Sequence, residues 1–195
     1  MTAPTGRRER KKAATRQKIA DTALRMFLDR GYDEVGIRDV AAEADVAVTT
    51  LFSHFASKEA LVFEQEENFA QQLAQAVTDR APGEPLIPAL RRQIHAMVRH
   101  CSAERSAPIW GMIDRTPALR QYEESMQSRY SASLAAAIAA DLDQPADTTS
   151  CGAIARFVID AFSLARTAAD PQAAVDEIFT MIEAAWNAAG TSRRA

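Results

Sequence analysis

Between residues 37 and 54 the chain carries two short helical patterns separated by only three residues, and this limits its folding options more than any other feature. Ile37, Val40, Ala41 and Ala44 recur at the spacing of one helix face, and Leu51 and Phe55 do the same for a segment over 48–54. A longer amphipathic stretch precedes them, over about 11–30, with Ile19, Ala23, Leu24, Phe27 and Leu28 on its apolar face and Gly31 placed for a left-handed C-cap. A bracing helix, a short helix, a three-residue turn and a second short helix form the helix-turn-helix pattern. In that arrangement the second short helix enters the major groove and the first crosses the backbone.

The rest of the chain also reads as helix. It is rich in Ala, Leu, Arg, Gln and Glu, its 7 Gly and 8 Pro cluster at breaks, and no strand pattern or internal repeat stands out. Ser57 can cap a fourth helix over 58–80, and Ala81-Pro82-Gly83-Glu84-Pro85 breaks it. Further helices are expected over 85–103, 106–115, 117–142, 148–169 and from 171 to about 190. Thr116-Pro117 and Asp170-Pro171 pair an N-cap with Pro at the first helical position. The expectation is an all-α chain of about nine helices. Residues 1–10 form a disordered basic arm, 11–60 a three-helix DNA-binding domain, and 61–190 a ligand-binding and dimerisation domain.

The formal net charge of −3 hides an uneven distribution. Residues 1–30 hold 9 basic and 3 acidic side chains, and residues 61–195 hold 12 basic and 17 acidic, so one end is suited to a polyanion and the other is not. All four lysines (Lys11, Lys12, Lys18 and Lys58) precede residue 61. The basic N-terminus lacks the apolar segment of a signal peptide, and no apolar run reaches the ~18 residues of a membrane span, which makes the cytoplasm the expected compartment. Cys101 and Cys151 belong to no CxxC pair and read as buried, reduced thiols. There is no HExxH, Gly-rich phosphate loop or GxSxG, and His95 and His100 are too poorly aligned on a helix to argue for zinc. No enzyme activity, metal or cofactor is expected.

Residues 15–63, TRQKIADTALRMFLDRGYDEVGIRDVAAEADVAVTTLFSHFASKEALVF, closely resemble the DNA-binding domain of TetR-family repressors. The matching marks are Ala23, Leu24, Phe27, Gly31-Tyr32, Ile37, Val40-Ala41, Val46, Thr50-Leu51-Phe52, His54-Phe55 and Ser57 to Leu61. The LFSHFASKEALVFE stretch looks like an actinobacterial subgroup that includes mycofactocin-type regulators. The chain departs from the family at four points: Gly36 where Thr is usual, Asp45 where Gly is usual, Ala47 where Ser is usual, and Phe52 where Tyr is usual.

The resemblance implies roles for individual residues. Val48, Thr49 and Ser53 would face the bases, Val48 and Thr49 through thymine methyls and Thr49 and Ser53 through hydrogen bonds. Thr50, Phe52 and His54 would hold the phosphate backbone or pack beside it. Lys58 and Arg38, each opening a helix, would meet phosphates. Arg7, Arg8, Arg10, Lys11 and Lys12 would follow the backbone or a minor groove.

The last two helices carry wide apolar stripes with small Ala positions that suit pairing. Ile154, Val158 and Phe162 on one, with Ile178, Ile182 and Trp186 on the other, are the expected dimerisation residues. In the resembled family such helices form a four-helix bundle across a two-fold axis. The middle helices supply candidates for an adaptable apolar pocket: Ile94, Met97, Val98, Trp110, Ile113, Tyr122, Met126, Tyr130 and Phe157. His95, Arg99, His100 and Arg129 stand as polar anchors. The reading is a homodimeric repressor of a palindromic double-stranded operator, released by a small apolar or amphipathic effector, with acyl-CoA as one such effector. Two alternatives stay open: a helical protein-binding adaptor, and an activator of the same fold.

Overall fold

The computed structural model describes residues 6–64, 69–81, 83–143, 145 and 148–192, with side chains to 188. Positions 1–5 of the expected arm, 65–68 of the expected fourth helix, Pro82 of the break and most of the 143–147 loop lie outside the described residues. Among those described there are ten helices and no strand: α1 (Arg7–Arg30), α2 (Ile37–Glu43), α3 (Val48–His54), α4 (Lys58–Val62), α5 (Phe69–Thr78), α6 (Leu86–Ser102), α7 (Ala107–Arg115), α8 (Pro117–Asp141), α9 (Thr149–Arg166) and α10 (Pro171–Ser192). They form two compact units. The first holds α1–α4 together with residues 108–120, and the second holds α5, α6, the remainder of α8, α9 and α10.

Two expectations change. Helix α1 begins at Arg7, so Arg7, Arg8 and Arg10 are helical rather than part of a disordered arm. Glu9 anchors the start by accepting from the Gly6 N–H at 3.1 Å, and Arg, Lys, Glu and Ala all favour helix. The segment expected as one helix over 58–80 stops at Val62. Leu61, Val62 and Phe63 are all buried. Three consecutive side chains fan over about 200° of a helix, wider than the stripe a surface helix hides. The backbone therefore leaves helical geometry at Phe63, with φ −92° and ψ 8°.

In the first unit Ile19, Ala23, Phe27, Val35, Val40, Leu51, Phe55 and Leu61 share the core, each essentially without solvent contact. Burying an aliphatic or aromatic side chain of this size contributes roughly 1.5–3 kcal/mol, so the short α2 and α3 are held by packing rather than by intrinsic propensity. Gly31 ends α1 with φ +94° and ψ 145°, its N–H donating to the Phe27 carbonyl at 2.9 Å. The positive φ is as expected, but ψ lies outside the left-handed helical region and is one that glycine reaches easily.

The turn between α2 and α3 is fixed by its own backbone. The Val46 N–H donates to Ala41 O (2.9 Å) and the Asp45 N–H to Ala42 O (3.1 Å), the paired bonds of a Schellman C-cap. Asp45 takes the left-handed position at φ +51°, the role that falls to it in place of glycine. Gly36 caps α2, and its N–H donates to Asp39 Oδ2 at 2.8 Å. Ser57 caps α4 through Oγ, which accepts from the Ala60 N–H at 3.3 Å.

In the second unit α6 packs on α5, α9 and α10, and α9 on α10. Its core includes Leu73, Leu90, Ile94, Val98, Leu134, Val158 and Phe179. Asp170 opens α10 as expected, Oδ1 accepting from the N–H groups of Gln172 and Ala173 at 3.1 and 3.0 Å. Arg80 reaches the Asp141 carboxylate and ties the residues after α5 to the end of α8. No helix among the described residues is long and apolar enough to cross a membrane.

Candidate nucleic-acid interface

Helix α3 turns Leu51 inward and presents Thr49, Phe52 and Ser53, at i, i+3 and i+4, on its outer face. Phe52 is 52% exposed, which leaves about half of an aromatic ring in water on this face. Val48 and Thr50 are half-buried at the flanks, so Val48 is less open than expected. The Ser53 hydroxyl is engaged within the helix, donating to Thr50 O at 2.7 Å, which leaves its oxygen lone pairs facing outward. His54 is half-buried at the end of α3, and its Nδ1 is buried with no hydrogen-bond partner among the described residues. On α2, Arg38 is exposed, as are Arg7, Arg8, Arg10, Lys11 and Lys12 along the first turns of α1.

Lys58 is not placed like the other cations. Its ammonium donates to the Tyr32 carbonyl at 2.5 Å and lies 4.0 Å from the Tyr32 ring centroid and 5.5 Å from that of Phe27. Burial lowers its pKa from the usual lysine value, against the opposing charges of Asp33 and Glu59. The Tyr32 hydroxyl donates to Glu59 at 2.9 Å. Residues 32, 58 and 59 thus tie the turn after α1 to the start of α4, and the Lys58 charge points into this cluster rather than outward.

Arg16, Tyr32 and Glu64 organise the unit but are absent from the motif-based site. Arg16 donates through Nε to Glu64 Oε1 at 2.6 Å, through Nη2 to Glu64 Oε2 and through Nη1 to the His54 carbonyl, with its guanidinium carbon 4.5 Å from the Phe55 ring centroid. The sequence did hold a signal for Arg16. It lies three, four and seven residues before Ile19, Ala20 and Ala23, on the buried stripe of α1, where a cation requires partners.

The expected dimerisation residues are redistributed on α9 and α10. Ile154, Val158 and Phe162 are buried within the second unit, Val158 completely, where they pack in the core of the single chain. A neighbouring face of α9 is the open one: Phe157 is 50% and Leu164 63% exposed, joined by Met181 of α10 at 60%. Together with Ala161, Ile178 and Ile182 they line a shallow apolar groove of about 380 Å³. Phe157 therefore lines this outer groove, not an internal pocket with the other expected ligand residues; Ile178 and Ile182 line the groove as well, and Trp186 is half-buried farther along α10. The reason is helical geometry, since 154, 158 and 162 follow one stripe and 157, 161 and 164 another, and both stripes are apolar.

Ile94, Met97, Val98 and Met126 are buried and Tyr122 and Tyr130 half-buried in the second unit; Trp110 and Ile113 are buried in the first. The proposed effector residues are thus divided between the two units. His95 bridges α6 to α10, Nδ1 at 2.7 Å from Gln172 Oε1 and Nε2 at 2.6 Å from Asp176 Oδ1, beside Arg91, which donates to the same carboxylate. Arg99 Nη1 lies 3.4 Å from Gln172 Oε1, and His100 Nε2 is 3.3 Å from Ser106 Oγ.

Comparison with known proteins agrees with this geometry. Residues 19–64 match the family described as bacterial regulatory proteins, tetR family. The chain is 29% identical over 136 residues to the HTH-type transcriptional repressor Rv3405c of Mycobacterium tuberculosis, covering 70% of this chain and 69% of that one. It is 35% identical over 66 residues to the mycofactocin biosynthesis transcriptional regulator MftR of the same organism, covering 34% and 32%. The matches span about two thirds of the length of the longer-aligned curated relatives. The structure of the SmeT–triclosan complex superposes with a TM-score of 0.61 at 20% identity, covering 88% of this chain and 91% of that one, and shows the shared fold. Residues 19–64 thus match the DNA-binding segment of the tetR family of bacterial regulatory proteins, and over about 70% of its length the chain is similar to helix-turn-helix regulators of transcription.

Proposed function

We propose that two copies of this chain bind a palindromic DNA operator, repress transcription there, and are released by a small apolar or amphipathic effector. The observation that carries the reading is the exposed face of α3, Thr49, Phe52 and Ser53, on a helix whose other side is locked by Leu51 and Phe55. A rigid rod with an open face of small hydroxyls and one ring fits a major groove, reading thymine methyls and base edges. Thr50, His54 and Arg38 flank that face and hold phosphates, and Arg7, Arg8, Arg10, Lys11 and Lys12 extend the positive stripe along α1. Lys58 is assigned instead to holding the turn after α1, because its ammonium is engaged there.

The apolar groove on α9 and α10 is the surface on which the second copy packs, with Phe157, Leu164 and Met181 as its exposed contributors. One recognition helix makes few base contacts, and a symmetric pair reads two half-sites. An effector that favours a conformation with displaced recognition helices weakens operator binding, and operator weakens effector binding by the same factor. Acyl-CoA thioesters are one amphipathic class to screen. The activity is binding rather than catalysis, and its place is with the genome in the cytoplasm.

Selection of bound duplexes from a random pool tests this reading. An inverted repeat should dominate after a few rounds, and its affinity should fall steeply with salt. A pool that stays random, or an enriched site with no two-fold symmetry, would overturn the proposal.

A further inference from the structure

In the DNA-binding unit Arg16 is turned inward, and its own side chain is assigned no contact with DNA. Arg16 sits on the inner stripe of α1, its side chain 28% exposed, against Glu64, whose side chain is 13% exposed. Its Nε and Nη2 engage both oxygens of the Glu64 carboxylate, and its Nη1 donates to the carbonyl of His54, the last residue of α3. The guanidinium lies over Phe55, the residue that ends α3. A cation at a helix C-terminus complements the dipole and satisfies a carbonyl that has no partner inside the helix. In a helix of seven residues, such an end contact is a large share of what fixes its orientation.

We propose that Arg16 is a positioning residue for DNA recognition, a clamp that fixes the C-terminus of α3 and the chain leaving α4 on a single guanidinium. The inference rests on the reading of α3 as the recognition helix. Glu64 lies two residues beyond the end of α4. Any displacement of Glu64 is therefore transmitted through Arg16 to the His54 carbonyl and so to the tilt of Thr49, Phe52 and Ser53. Only arginine satisfies this arrangement, because its planar fork serves a carboxylate and a separate carbonyl together, whereas the lysine ammonium is a single point of charge.

Glu64→Gln gives a test whose sign separates the clamp from simple electrostatics. Removing a negative charge from a DNA-binding unit tightens DNA binding if only the overall field matters. The clamp requires the opposite. Glu64→Gln should bind the selected duplex about tenfold more weakly, while its affinity for random duplex stays level or rises. Arg16→Lys keeps the charge and should show the same loss, with an unchanged slope of log affinity against log salt, because no phosphate contact is removed. Circular dichroism at the assay temperature establishes that both variants are folded.

Amide exchange at Phe55, whose N–H is bonded to Leu51 O at 3.0 Å, should accelerate in both variants without DNA present. Specific binding by Glu64→Gln that is as tight as that of the parent, or exchange at Phe55 that is unchanged, overturns the proposal. If the parent itself prefers no duplex, the regulatory reading fails, and the exchange measurement alone decides the clamp.

Discussion

The Lys58 ammonium lies 2.5 Å from the carbonyl oxygen of Tyr32 and 4.0 Å from the centroid of its ring, so a single cation closes the turn after α1 from two directions. Lys58→Ala removes a charge-assisted hydrogen bond and a cation–π contact together. The expected cost is about 1–3 kcal/mol of stability, read from urea unfolding followed by circular dichroism. Because the charge is engaged by Tyr32, the salt dependence of duplex binding should match that of the parent. A slope lower by about one would instead restore Lys58 to the phosphate contacts.

Tyr32 gives this unit an alkaline limit. Burial, then the hydrogen bond to Glu59 and the charges of Glu59 and Asp33, push its phenol well above the usual tyrosine range. Folding therefore favours the neutral phenol. The associated stability is complete below the unfolded value of about 10 and is lost as pH climbs beyond it. Tyr32→Phe cannot titrate. In urea midpoints measured from pH 8 to pH 11, the parent should lose its advantage over this variant at the alkaline end.

The two apolar faces of α9 should respond differently to the same substitution. Leu164→Asp or Phe157→Asp places a carboxylate in the exposed groove and should yield a folded single copy by sedimentation equilibrium. Val158→Asp buries that carboxylate in the core of the unit, where an unpaired charge is not tolerated, and should give little folded protein. Dimers persisting in both groove variants would place the interface elsewhere.

The turn before the recognition helix depends on Asp45 remaining left-handed at φ +51°. Asp45→Ala should cost about 1 kcal/mol, because a Cβ without a local hydrogen-bonding group gains nothing there. Asp45→Gly should stay within roughly 0.5 kcal/mol of the parent, since glycine reaches this region freely but loses more backbone entropy on folding. Thermal unfolding of the three proteins checks the order.

In the second unit, hydrogen bonds from Arg91 and then His95 hold the Asp176 carboxyl below the usual carboxylate range. The stability this lends is present above the unfolded value of about 3.9 and disappears as pH falls through the lower folded one. Asp176→Asn should remove that part of the acid-induced loss, leaving a shallower decline in melting temperature between pH 5 and pH 2 than the parent shows.

The first unit was largely readable in the sequence because its rules are local. Ser57, Asp45 and Gly36 each sit where a cap or turn demands a particular backbone geometry, and Leu51 and Phe55 each face one core. The inward position of Arg16 on α1 is legible in the same way, but its partners, Glu64 and the His54 carbonyl, are brought to it only by folding. The end of α4 is hidden for a related reason: an apolar run such as Leu61-Val62-Phe63 reads as strong helix until all three side chains must be buried at once. On α9 the limit is one of principle. When 154, 158 and 162 and also 157, 161 and 164 offer apolar or small side chains, periodicity finds the helix but cannot say which stripe belongs to the chain's own core.

Phe52 leaves about half of an aromatic ring in water on the face of α3 that we propose meets DNA. If that ring is covered on complex formation, part of the binding energy comes from dehydration of carbon surface, which ionic strength does not screen. Association would then carry a negative heat-capacity change alongside counterion release, and removing the ring should lower the whole line of log affinity against log salt without changing its slope.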